Sequence, residues 1–211
     1  MSSEDGKPKR RPINTAKRDA ILAAAVRSFF LHGFAASSVE QISADAGVSK
    51  VTLYSRFGDK RGLFAAAVAH ECERMRGHFS IDETGRGSLR DRLLIIGEAM
   101  VAFLSRPEMV QFERRIAAET VDEPELGAAF LAAGPHRMKE AFANFLRALA
   151  LSGELEVKDP ELAAEQFSSM CKGMGDLERR FGHPSDPHRN RSRIEGAVEV
   201  FCRAYVLRSS S

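Results

Sequence analysis

Residues 46–64 read AGVSKVTLYSRFGDKRGLF, and the way these residues divide between an inner and an outer side decides the fold. Gly47 supplies a turn, Ser49 can cap the helix that follows, and Gly58 ends it. Val48, Leu53 and Phe57 share an apolar side suited to anchoring on another helix. Ser49, Lys50, Thr52, Tyr54, Ser55 and Arg56 are left to face outward. Hydroxyls, cations and an aromatic hydroxyl on one short helix are the groups that donate to phosphate oxygens and to base edges.

Working towards the N-terminus, a second helix opens at Ser38, where Gln41 three residues on predicts a capping box, and it ends at Gly47. Before it, Ile21, Leu22, Ala25, Val26, Phe29 and Phe30 form one helical face, stopped by Gly33. Three short helices with a turn between the second and third make a helix-turn-helix from Ser38 to Phe57, whose third helix enters the major groove. Ahead of it, residues 1–15 read as a disordered basic arm in which Lys7, Lys9, Arg10 and Arg11 can neutralise phosphates, as can Lys17 and Arg18 just beyond.

Working towards the C-terminus, Asp59 caps a fourth helix carrying Leu63, Phe64, Ala67, Val68 and Cys72, which runs to a Gly-rich stretch at 84–88 and links two domains. Ser88 with Asp91 predicts a capping box, and Pro107, Pro124 and the Asp159-Pro160 step each start a helix. The Gly134-Pro135 step breaks or bends the chain before the stripe Met138, Phe142, Phe145, Leu146, Leu149. A last helix carries Ile194, Val198, Phe201 and Tyr205. The fold class is therefore all-α, with nine or ten helices: a head at 16–62 and a second helical domain at 63–211.

Of the 211 residues 44% are hydrophobic, ample for a packed core, and no apolar run approaches the roughly 20 residues of a membrane span. The polar N-terminus is unlike a signal peptide, so the chain is expected to be cytoplasmic. The net charge of +2 is unevenly placed: residues 1–61 hold 11 Lys/Arg against 6 Asp/Glu, a net +5, and the rest 20 against 23, a net −3. The basic end is where DNA would bind. Cys72, Cys171 and Cys202 sit in apolar patterns and suit buried, reduced thiols. No convergent acid, base or nucleophile suggests an enzyme, and no Gly-rich phosphate loop calls for a cofactor. His183, Asp186 and His188 lie in a Pro-rich loop without the ligand spacing of a metal site.

The stretch RDAILAAAVRSFFLHGFAASSVEQISADAGVSKVTLYSRFGDKRGLFAAAV, residues 18–68, resembles the N-terminal domain of the TetR/AcrR family along its whole length. The family pattern A-G-V-S-x-x-T-L-Y-x-x-F-x-x-K-x-x-L is met at every fixed position. The resemblance implies that Thr52 and Tyr54 contact phosphates, with Lys60 joining them from the start of the fourth helix. Ser38 and Ser49 open the two helices of this DNA-binding set. Lys50, Val51, Ser55 and Arg56 fall where members vary, so they are candidates for base discrimination. Arg61 stands where Glu is frequent and adds a cation beside Lys60.

Residues 118–170 resemble one branch of the family less specifically. In relatives this domain dimerises through its last two helices and encloses a pocket whose ligand alters DNA affinity. A two-fold dimer placing two recognition helices about 34–36 Å apart gains affinity and reads a palindrome. The homodimer face is expected to combine Phe167, Met174, Leu177, Val198, Phe201 and Tyr205, and a pocket for a small hydrophobic ligand to be lined by Met100, Phe103, Phe112, Phe130 and Met170. Gln111, Glu113, Arg114 and Arg115 read as a solvated face. The function this implies is a transcriptional regulator, a repressor released from its operator by an apolar ligand. The sequence leaves a second class open, an architectural or partner-binding protein that uses the same head without an inducer.

Overall fold

In a computed structural model, residues 12–77 and 87–206 are described. They form ten α-helices: α1 (Pro12–His32), α2 (Val39–Asp45), α3 (Lys50–Phe57), α4 (Lys60–Gly77), α5 (Leu89–Leu104), α6 (Pro107–Glu119), α7 (Pro124–Ala133), α8 (Pro135–Leu151), α9 (Pro160–Arg180) and α10 (Pro187–Tyr205). Among the described residues the only extended pairing is an isolated antiparallel bridge, Leu155 with Val206. None of these helices is long and apolar enough to cross a membrane.

The helix boundaries follow from local chemistry. Six helices begin with proline, where the missing N–H costs nothing. Ser88 and Asp91 form the reciprocal capping box expected of them. The box expected at Ser38 is half made: Ser38 Oγ accepts from Gln41 N–H, but the Gln41 side chain turns away to Asp45. Residues 12–15, read as part of the arm, belong to α1, and the lysines and arginines at 7–11 lie outside the described residues. The Gly134-Pro135 step separates α7 from α8. One break has no warning in the apolar periodicity: α9 kinks at Gly173, whose φ of 47° and ψ of −150° are not helical, and Arg193 of α10 lies against the notch.

Two apolar cores result. The first gathers Ile21, Phe29, Leu53 and Phe64 from α1, α3 and α4, but also Met109, Phe112, Ile116 and Leu126 from α6 and α7. Phe30 stacks on Phe112 at 4.1 Å between ring centres, so α6 packs directly into the head. The second core joins α5, α8, α9 and α10 around Leu93, Phe167, Val198 and Phe201. The head therefore shares its hydrophobic interior with α6 and α7.

Candidate nucleic-acid interface and regulatory cavity

Leu53 is fully buried and fixes the rotation of α3, with Val48 and Phe57 packed beside it. The opposite side is left to solvent. Val51 is 78% exposed, and Lys50, Tyr54, Ser55 and Arg56 are exposed with it. Ser49 caps the helix, accepting from Thr52 N–H at 3.1 Å, and its hydroxyl lies 2.9 Å from that of Thr52. Ser55 donates back to the Thr52 carbonyl at 2.9 Å. Ser38 caps α2 from an exposed position. Of the residues selected from the sequence, Ser38 at the start of α2 and Ser49, Lys50, Val51, Tyr54, Ser55 and Arg56 at and along α3 are exposed, Thr52 and Lys60 half-buried.

Three features of this face were not legible in the sequence. Glu40 of α2 forms an ion pair with Lys50, and its second oxygen accepts from Ser38 Oγ at 3.1 Å. The Lys50 bond, more than any other influence, pulls the Glu40 carboxyl down to about 2. Lys60 donates to the Ala35 carbonyl at 3.0 Å and sits 4.8 Å from the centre of the Phe34 ring. Partial burial lowers its pKa, opposed by the charges of Glu119, Glu123 and Glu40. Arg61 does not extend the cationic surface as expected, because its guanidinium pairs with Glu123 and Glu125 at the α6–α7 corner.

That last contact belongs to a larger grip. The N–H groups of Phe34 and Ala35, in the turn after α1, donate to Glu119 Oε2 at 3.0 and 3.1 Å. Arg115 donates to the Phe30 carbonyl at 2.9 Å and to that of Leu31. The Phe30 and Leu31 carbonyls are among those the C-terminus of α1 leaves unpaired, and they and the two turn N–H groups are satisfied by α6 from more than 80 residues away. Gly33 permits the approach: its φ of 82° suits glycine, and a Cβ there would stand 2.3 Å from Glu119 Oε1. On α4, the buried Glu71 carboxylate pairs with Arg106 at the start of α6, 2.8 Å apart. The expected solvated face of α6 is corrected accordingly. Gln111 is exposed, but Arg115 holds the α1 terminus, Arg114 donates to the Arg179 carbonyl, and Glu113 is largely buried.

The other side of α6 faces a cavity of about 920 Å³ between α4, α5, α6, α7, α8 and α9. Of the residues named for a ligand pocket, Met100, Phe103, Phe112 and Phe130 line this cavity, joined by Phe30 and Phe142. Met170 does not. On α9 the cavity is lined by Phe167, Ser168, Ser169 and Lys172, while Met170 packs against the second core. Glu113 enters the cavity wall with its pKa raised by burial, an effect Arg180 opposes from 3.5 Å. Cys72 also lines the wall; burial keeps it a thiol, its pKa pushed up to about 11. Cys171, buried in the second core, is pushed up to about 12.

The expected dimer face also needs correction. Phe167, Val198 and Phe201 are completely buried within the chain, where Phe167 meets Phe201 edge-on at 5.4 Å. Tyr205 is half-buried and donates to Gln166 Oε1. Of the residues selected, Met174 and Leu177 remain on the surface, with Phe181 and Val200 exposed on the same two helices. The interior claims more aromatic residues than periodicity alone reveals, since a helix between two layers buries more than one stripe. In the loop after α9, Asp186 caps α10, accepting from the N–H groups of His188 and Arg189.

Residues 21–67 match the model of the bacterial regulatory proteins of the tetR family, and residues 91–206 match that of the C-terminal domain of AefR-like transcriptional repressors. The chain is 28% identical over 164 residues to the HTH-type transcriptional regulator YvkB of Bacillus subtilis, covering 77% of this chain and 81% of YvkB. Among solved structures it resembles a TetR-family transcriptional regulator from Mesorhizobium loti, with a TM-score of 0.76, 26% identity, and coverage of 93% of this chain and all of the other. It also resembles the flavonoid-responsive regulator FrrA, with a TM-score of 0.71, 30% identity, and coverage of 92% of this chain and all of FrrA.

Proposed function

The chain belongs to the TetR family of bacterial regulatory proteins, a DNA-binding transcriptional regulator, and we propose that it is a homodimeric repressor released from a palindromic operator by a small aromatic ligand. In this reading Ser38, Ser49, Thr52, Tyr54 and Lys60 grip phosphates, while Lys50, Val51, Ser55 and Arg56 approach base edges. Lys60 leaves the Ala35 carbonyl, or keeps it with one of its three donors, to reach the backbone.

The observation that carries ligand control is the double duty of α6. Phe112, Glu113 and Ile116 face the cavity, while Arg115 and Glu119 hold the turn between α1 and α2. A ligand that displaces α6 must either carry that turn with it or break its hydrogen bonds. Control requires only that the ligand bind the DNA-incompetent state better; a tenfold loss of DNA affinity corresponds to about 1.4 kcal/mol of differential binding. Phenylalanine rings from α1, α5, α6, α7 and α8 on a cavity of 920 Å³ favour a flat aromatic molecule, with Glu113 available to accept a hydroxyl hydrogen. The flavonoid response in FrrA's name agrees with this chemistry.

Selection of bound sites from random DNA, followed by addition of planar hydroxylated aromatics to the complex, tests the proposal. A palindrome that is bound alone and released by such a compound is the expected result. Broad coverage without a motif, or affinity unmoved by saturating compound, overturns it. Tyr54→Phe and Lys60→Ala should weaken binding to all sequences alike, Lys60→Ala also lowering the slope of log K against log salt by about one.

A further inference from the structure

We infer that Glu40 and Lys50 act as one reading unit that recognises a single G·C base pair in each half-site, Lys50 donating to guanine O6 and N7 while Glu40 accepts from the N4 amino group of the paired cytosine. The inference rests on the DNA-binding reading above and assigns to α2 a part in specificity. Lys50 is the first residue of α3, at the N-terminal end of the recognition helix, the end that contacts base edges in this class of fold. It does not stand alone there: the carboxylate of Glu40 is bonded to it from the first turn of α2, and Ser38 Oγ steadies the second carboxylate oxygen.

An anionic side chain at a surface that approaches phosphates opposes binding, unless it makes a contact that a neutral residue cannot. The pair offers such a contact. Side by side, an ammonium and a carboxylate present a donor next to an acceptor, and the major-groove edge of G·C presents two acceptors, N7 and O6, next to the N4 donor. The two patterns are complementary across the base pair. On A·T the order is acceptor, donor, acceptor, so the ammonium loses one of its two partners wherever the carboxylate is satisfied. A carboxylate accepts about four hydrogen bonds and an ammonium donates three, so capacity remains after the bonds to Lys50 and Ser38 are made. With its pKa held near 2, Glu40 stays anionic throughout the pH range of any binding experiment.

The test compares wild type with Glu40→Gln, Glu40→Asp and Lys50→Ala by selection from random DNA and by salt titration of binding. Wild type should fix a G·C pair at one symmetric position of each half-site. Glu40→Gln and Lys50→Ala should each relax that position by about tenfold, and the double variant should relax it no further. Glu40→Gln frees Lys50 to neutralise a phosphate, so its binding to unrelated DNA should tighten and its salt slope steepen by about one. Glu40→Asp, one methylene shorter, should relax the same position with the salt slope unchanged. Identical base preferences in wild type and Glu40→Gln, or relaxation at different positions in the two single variants, would overturn the pairing. Failure of the wild type to enrich any sequence would sink the DNA-binding reading as well, and so is distinguishable from failure of the pair.

Discussion

Glu113 is a carboxylate placed where ionisation is opposed. Burial raises its pKa; Asp176 raises it further, and Arg180, Lys172 and Arg179 pull it back. A carboxyl whose folded pKa lies above its unfolded value contributes stability that is full below the unfolded value and lost as pH rises through the folded one. Replacing it with Gln removes that dependence. The melting temperature of Glu113→Gln relative to wild type should therefore be higher at pH 7 than at pH 4, measured by thermal unfolding at both. A difference independent of pH would mean the group is solvated. The sequence showed the charges of α6 but not their addresses, because Arg180 lies 67 positions downstream. On α3 the addresses were legible: a helix of 8 residues between Gly47 and Gly58 leaves few choices once Leu53 points inward. Glu40 escaped notice because an acidic residue in the first turn of a helix already has a local explanation.

At the scale of the element, α6 is apolar towards the cavity and polar towards the end of α1. Glu119 satisfies two backbone N–H groups, and a hydrogen bond to a charged group contributes about 1.5–3 kcal/mol when buried, less at this partly exposed site. Glu119→Gln should lower the melting temperature by a few degrees while keeping DNA binding, and should reduce the ligand's effect on operator affinity. Operator titrations with and without ligand measure the coupling directly; a coupling equal to wild type would place the transmission elsewhere, for instance in the contact of Glu71 with Arg106. The Asp186-Pro187 start of α10 lay in a stretch expected to be loop, but the caps and prolines that begin α5, α6, α7 and α9 were readable because they act on neighbours in sequence. The kink at Gly173 was not. Arg193 of another helix lies against it, and the apolar spacing of α9 runs through it undisturbed.

For the whole molecule, the question is which apolar residues serve the chain and which serve a second copy. Phe201 is completely buried between Phe167 and Tyr205, so Phe201→Ala should cost about 3–5 kcal/mol of folding stability. Met174 is 61% exposed, and Met174→Glu should leave the unfolding temperature of the protomer nearly unchanged while shifting the population towards monomer and weakening operator binding. Light scattering and calorimetry on the two variants separate the effects; an intact dimer in Met174→Glu would move the interface off this part of α9. The shared first core bears on how such a protein can acquire a new target. A head exchanged between relatives at its covalent boundary would arrive without Phe112, Arg115 and Glu119, leaving Phe30 without its stacked ring and the end of α1 without its hydrogen-bond partners. Recombination is thus constrained to carry α6 along with the head, whereas Val51, Ser55 and Arg56 of α3 can vary one at a time and Lys50 only together with Glu40 of α2. Divergence in the DNA read should proceed by substitution in α3 and at Glu40 of α2, and divergence in the ligand sensed by substitution on the cavity side of α6.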